Sequence, residues 1–143
     1  MKVLGIDPGS IKTCFGIVEN HDNRLSILKS GVIHTDTSDK VFSNRLKVIY
    51  ENIKNLIQEY KPDIVGIEKV FFAKNTQSAL KLGQAKGAAM TAAASLGINV
   101  EELSPLEIKQ DVVGFGHASK DQVQKMIKIL LSMKELPSSD EDD

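Results

Sequence analysis

The 143-residue chain reads as one α/β domain built on a mixed five-stranded central sheet flanked by helices. Three observations predict this. Three short apolar runs follow one another at the N-terminus, split only by turn-forming clusters. After them, long helical patterns alternate with further short apolar runs, the signature of parallel strands joined by crossovers. The length and a 41% hydrophobic, 26% charged composition suit a single packed core of ordinary size.

Taken in order, KVLGID (2–7), TCFGIVE (13–19) and RLSILKSGVIH (24–34) are the apolar runs, separated by PGS and ENHDN. They predict an antiparallel meander of three strands. From Ser43 to Tyr60, Leu46, Ile49, Tyr50, Ile53, Leu56, Ile57 and Tyr60 recur at three- and four-residue steps, which predicts an amphipathic helix ended by Pro62. DIVGIE (63–68) is a fourth strand. The alanine-rich stretch from Thr76 to Leu96 predicts a long helix with Gly97 at its cap, and INVEEL (98–103) a fifth strand. SPLEIKQDVV then carries a strong helix start, with Ser104 at the N-cap, Pro105 at the first helical position and Glu107 three residues after the cap. Ser119 to Met133 repeats the helical period.

Composition narrows the function classes. The single cysteine, Cys14, excludes an internal disulfide framework and a cysteine-cluster metal site, and core filling is its expected role. No apolar stretch approaches the roughly 18 residues a membrane span needs, and no signal peptide is visible, so a cytoplasmic protein that does not enter the membrane is expected. The net charge of −1 conceals an uneven distribution: residues 69–134 carry nine Lys/Arg against five Asp/Glu, whereas the last four residues are DEDD. A near-neutral total therefore leaves nucleic acid open as a partner.

Two of the predicted strands end on a lone acid, Asp7 in GIDPGS and Glu68 in GIEKV. In such sheets, sites form at strand ends near the reversal of strand order. Two carboxylates brought together there repel unless a cation lies between them, and hard oxygen donors suit Mg²⁺ or Mn²⁺. Periodicity leaves a plainer reading open: Asp before Pro-Gly commonly opens a turn, and Glu68 could be a solvated strand end. KVFFAKN, directly after Glu68, adds two aromatics and the lysines Lys69 and Lys74, suited to stacking an exposed base and holding phosphate. No Ser-His-Asp or Cys-His set suggests a covalent nucleophile, so water is the expected attacking group.

GIDPGS, IEKVFFAKNTQSALKLGQAKGAA, SPLEIKQDVVGFGHASKDQVQKMI and the terminal DEDD together resemble the RuvC family of Holliday junction resolvases, in the family's order and over nearly the whole chain. The resemblance implies an RNase H-like fold, with residues 1–143 as one nuclease domain. It also implies a homodimer and a metal-dependent endonuclease that nicks two strands of a four-way DNA junction symmetrically, leaving 5′-phosphate and 3′-hydroxyl ends, in homologous recombination and DNA repair. Asp7 and Glu68 match the first and second catalytic, metal-binding acids. Asp140 and Asp143 match the remaining pair, with Glu141 or Asp142 substituting if the register shifts by a residue or two. Phe71 matches an aromatic that contacts DNA at the crossover. Lys109 and Lys120 match lysines near the scissile phosphate, and His117 lies in a glycine-containing basic loop that suits DNA contact. The implied cofactor is Mg²⁺, replaceable by Mn²⁺, with two ions per active site; the implied partners are junction DNA and the branch-migration proteins RuvA and RuvB. The small residues between Thr76 and Leu96 suit close helix approach, either in the dimer that the resemblance implies or against the chain's own sheet.

The family continues past Asp143 with an alanine-rich helix that braces the last acids, so the chain as given is expected to stop inside its last catalytic helix. A junction-binding module without nuclease activity is the alternative reading. An actin-like ATPase or sugar kinase, suggested by GIDPGS alone, would need a far longer chain.

Overall fold

Which residues face which side of the sheet decides where chemistry is possible. The computed structural model describes residues 1–22, 24–69 and 75–103. The strands are β1 (Lys2–Asp7), β2 (Lys12–His21), β3 (Arg24–His34), β4 (Ile64–Glu68) and β5 (Asn99–Leu103); the helices are α1 (Phe42–Tyr60) and α2 (Thr76–Ser95). All seven lie within a few residues of the expected bounds. The helices expected from Ser104 and from Ser119 lie outside the described residues.

The sheet order is β3-β2-β1-β4-β5. β1 to β3 form the antiparallel meander, and β4 and β5 add in parallel. Strand order thus reverses at β1, in the centre, where β4 joins on the side opposite β2. The switch point predicted from sequence is the β1–β4 boundary.

Register sorts each strand into two faces because side chains alternate. Leu4 lies opposite Ile17 and Val65, and Ile6 opposite Phe15 and Ile67. These residues, with Ile33, form one apolar cluster with Ile49, Ile53, Leu56 and Ile57 of α1 and Ala85, Ala89, Ala92 and Ala93 of α2. Both described helices therefore cover the same face. α1 ends where Lys61 enters the left-handed region (φ 51°) just ahead of Pro62, its amide reaching back to the Ile57 carbonyl. α2 begins with Asn75 Oδ1 accepting from the Ser78 amide at 2.8 Å. It ends in a Schellman arrangement: Gly97 at φ 76°, its amide on the Ala94 carbonyl, and the Ile98 amide on the Ala93 carbonyl.

The small residues of α2 divide by direction. Ala85, Ala89, Ala92 and Ala93 are fully buried in the chain's own core, where the lack of bulk lets α2 approach α1 and the sheet. Gly83 and Gly87 face open space, and Leu80 is 62% exposed.

The opposite face is built from the alternate residues. Val3 lies opposite Val18 and Ile64, Gly5 opposite Gly16 and Gly66, and Asp7 opposite Cys14. Val3, Val18 and Leu103 are fully buried there.

Candidate active site

The acid pair is assembled by register. Ile6 pairs with Ile67 across parallel strands, so Asp7 and Glu68 are the next residue on each, side by side and on the same face. Neighbouring strands run about 4.8 Å apart. Both side chains are half-buried. Across β1–β2 Asp7 faces Cys14, and across β4–β5 Glu68 faces Leu103, so the row Cys14, Asp7, Glu68, Leu103 crosses four strands at their ends. One row back, Gly16, Gly5 and Gly66 carry no side chains, which leaves the sheet surface behind the acids flat.

Two carboxylates on neighbouring strands form a set of hard oxygen donors, so the chemistry of the pair fits a divalent cation of the Mg²⁺ type. Among the described residues no group of three or more His, Cys, Asp or Glu is placed to hold a metal ion, so the described part of the site is this pair. Asp140, Asp143, Lys109, Lys120, His117, Phe71 and Lys74 lie outside the described residues.

The turn after Asp7 is fixed by its own Pro8 and Gly9, which the sequence marks as a turn, and by three side chains from elsewhere that it does not mark as partners of that turn. Pro8 is buried. A side chain at Gly9 would place its Cβ 2.2 Å from the Lys12 carbonyl oxygen, so only glycine fits without a backbone shift. The fully buried Thr13 donates its hydroxyl to the Gly9 carbonyl at 2.9 Å and accepts the Gly9 amide at 3.3 Å. The Thr35 hydroxyl and Arg45 Nη2 each donate to the Ser10 carbonyl at 2.7 Å. Thr13 carries a readable signal, a polar residue at an inward position of an apolar strand. Arg45 carries none, since arginine on an amphipathic helix ordinarily points to water.

One expectation resolves differently. Cys14 is half-buried beside Asp7 instead of filling the core, because strand alternation places it on the acid face. His21 and His34, the last residues of β2 and β3, are exposed. Asp36, in the segment that follows β3, accepts from the Ser38 hydroxyl at 2.6 Å and the Ser38 amide at 2.9 Å. Those bonds, with Arg45 a weaker influence, hold its carboxyl below the ordinary range. No described helix is long and apolar enough to cross a membrane.

The family model of the crossover junction endodeoxyribonuclease RuvC matches residues 3–143. This chain belongs to the RuvC family. Its curated relatives include the RuvC of Geobacter sulfurreducens, 52% identical over all 143 residues and 87% of that protein. The RuvC of Geobacter metallireducens is 50% identical over the same span, again 87% of that protein. Among solved structures, Thermus thermophilus RuvC in complex with Holliday junction substrate superimposes with a TM-score of 0.74 at 31% identity, over 96% of this chain and 84% of that one. The yeast mitochondrial Holliday junction resolvase Ydc2, at 15% identity and a TM-score of 0.55, shares the fold. The five-stranded mixed sheet of this RuvC-family chain is accordingly RNase H-like.

Proposed function

We propose that this RuvC-family endonuclease resolves four-way DNA junctions by metal-dependent hydrolysis, with paired symmetric nicks that leave 5′-phosphate and 3′-hydroxyl ends. The observation that carries the reading is the placement of Asp7 and Glu68 as adjacent carboxylates at the sheet's topological switch point. The 52% identity to a curated RuvC over the whole chain supports the same reading, as does the junction-bound Thermus thermophilus homologue.

In this proposal Asp7 and Glu68 hold Mg²⁺, or Mn²⁺ in its place, together with Asp140 and Asp143. Bound divalent cations lower the pKa of water and neutralise charge on a phosphodiester, which is the chemistry the reaction needs. The protein's own part is to hold four carboxylates in fixed positions and to carry the DNA to them. Lys109 and Lys120 stabilise negative charge near the scissile phosphate. Phe71 stacks a base at the crossover, Lys74 and His117 add DNA contact, and residues 1–143 act as one nuclease domain.

A homodimer suits a junction of approximate two-fold symmetry, because two equivalent sites then cut two equivalent strands. Among the described residues nothing packs on the side of α2 that carries Leu80, Gly83 and Gly87, and that side is the proposed meeting point with a second copy. RuvA and RuvB are the proposed branch-migration partners, and the cytoplasm the proposed compartment.

The test is cleavage of an end-labelled four-way junction with Mg²⁺, Mn²⁺ or EDTA, against a plain duplex. Paired, metal-dependent nicks confined to the junction are expected. Tight junction binding with no nicks in either metal would overturn the nuclease reading.

A further inference from the structure

We infer that Arg45 is a positioning residue for Asp7, acting through the turn that follows the acid; this rests on the proposed role of Asp7 as a metal ligand. A carboxylate at the last position of a strand is placed only as accurately as the backbone leaving it. The register of β1 with β4 runs from Val3 opposite Ile64 to Ile6 opposite Ile67, one residue short of the acid. On the other side Asp7 is paired with Cys14 of β2, and the chain then reverses through Pro8 to Ile11. What fixes that reversal helps to fix the acid.

Three side chains from three separate parts of the chain converge on it. Thr13 of β2 bonds both backbone groups of Gly9. Thr35, just past β3, donates its hydroxyl to the Ser10 carbonyl and its amide to the Ile11 carbonyl at 3.1 Å. Arg45 of α1 donates Nη2 to the same Ser10 carbonyl and Nε to the Thr35 hydroxyl oxygen at 3.4 Å. Its guanidinium also lies 4.9 Å from the centre of the Phe42 ring. With Nε and Nη2 bonded to the protein and one face on an aromatic ring, this cation is largely committed internally and is poorly placed to hold DNA phosphate. Arg45 therefore links the helix layer on one face of the sheet to the turn beside the acid on the other. Its planar fork meets two acceptors at once, which a lysine cannot copy.

The test compares the wild-type chain with Arg45→Ala and Arg45→Lys, with Thr35→Val as a second route should Arg45→Ala fail to fold. Expected for Arg45→Ala is several-fold faster amide exchange in a peptide spanning the 8–11 turn, with α2 unchanged. Mn²⁺ affinity, titrated without DNA, should fall at least about fivefold. Single-turnover cleavage at saturating junction should slow by about tenfold or more, because small misplacements of a reacting group are costly. Junction Kd should stay within about twofold, Arg45→Lys should recover part of the loss, and Thr35→Val should shift the same readouts less. Unchanged turn exchange overturns the inference, as does a lower melting temperature with Mn²⁺ affinity and cleavage intact. A weakened Kd with full cleavage at saturation also overturns it and makes Arg45 a phosphate contact. A wild-type chain that binds Mn²⁺ but never nicks the junction overturns the functional proposal alone, and the exchange and Mn²⁺ arms still decide Arg45. A wild-type chain with no Mn²⁺ affinity overturns both.

Discussion

The two faces of the central sheet are made from the same strands, yet they are built to opposite specifications. On the helix-covered face, Leu4, Ile6, Ile17, Val65 and Ile67 are buried against α1 and α2, with nothing ionisable among them. On the other face the same strands present Val3 and Val18, then glycines, then Asp7 and Glu68. A single six-residue strand, KVLGID, thus supplies core at even positions and chemistry at its last odd one. Burial on one face lets two like-charged groups be held together on the other: the apolar packing supplies the stability that placing adjacent carboxylates costs.

Mutating one face at a time should separate the two roles. The largest effect is expected from Asp7→Asn, nearly isosteric but a poorer cation ligand. It should reduce nicking by about a hundred- to a thousandfold while leaving the melting temperature and junction affinity close to wild type, as gel-based cleavage and binding assays would show. Retained cleavage would break the assignment of this face to chemistry. On the helix-covered face, Leu4→Ala removes a fully buried side chain and should cost about 2–5 kcal/mol in denaturant unfolding. Its cleavage rate per folded molecule should stay near wild type, and a large loss in that rate would mean that the faces are not separable.

A smaller effect tests the edge of the packed face. Lys86 of α2 pairs with Glu102 of β5, their side chains 17% and 37% exposed. Lys86→Ala should lower stability by about 1 kcal/mol, and a double-mutant cycle with Glu102→Gln should assign the coupling to this pair. The smallest effect concerns acid. Asp36 has its folded-state pKa depressed by the Ser38 bonds, so its contribution is present above the ordinary carboxylate value and is lost as pH falls through the depressed one. Asp36→Asn should therefore lower stability slightly at neutral pH and leave it almost unchanged at low pH, flattening the acid limb of the stability curve, which a series of melting curves would check.

Much of this fold is legible in the sequence because its signals are local. Pro62 and Gly97 stop helices by covalent geometry, the three- and four-residue spacing from Leu46 to Tyr60 marks a helix face, and the run of five short apolar segments marks the strands. Asp7 and Glu68 stood out as acids ending apolar runs. Their neighbours did not: Cys14 was expected in the core, since its exposure depends on which face strand alternation gives it. The small residues of α2 could not be apportioned between core and exposed surface without knowing which side of the helix meets α1.

The sequence by itself determined the elements, their order, the two acids at strand ends and, through its motifs, the family, because propensity, capping and turn chemistry act over a few residues. Only the tertiary structure decided that Asp7 and Glu68 stand side by side on a glycine-floored face, and that Thr13, Thr35 and Arg45 meet on one turn. Those juxtapositions depend on strand order, register and helix placement, which bring together residues up to 61 positions apart in the chain. No local preference encodes them, since each is set by how the whole core packs.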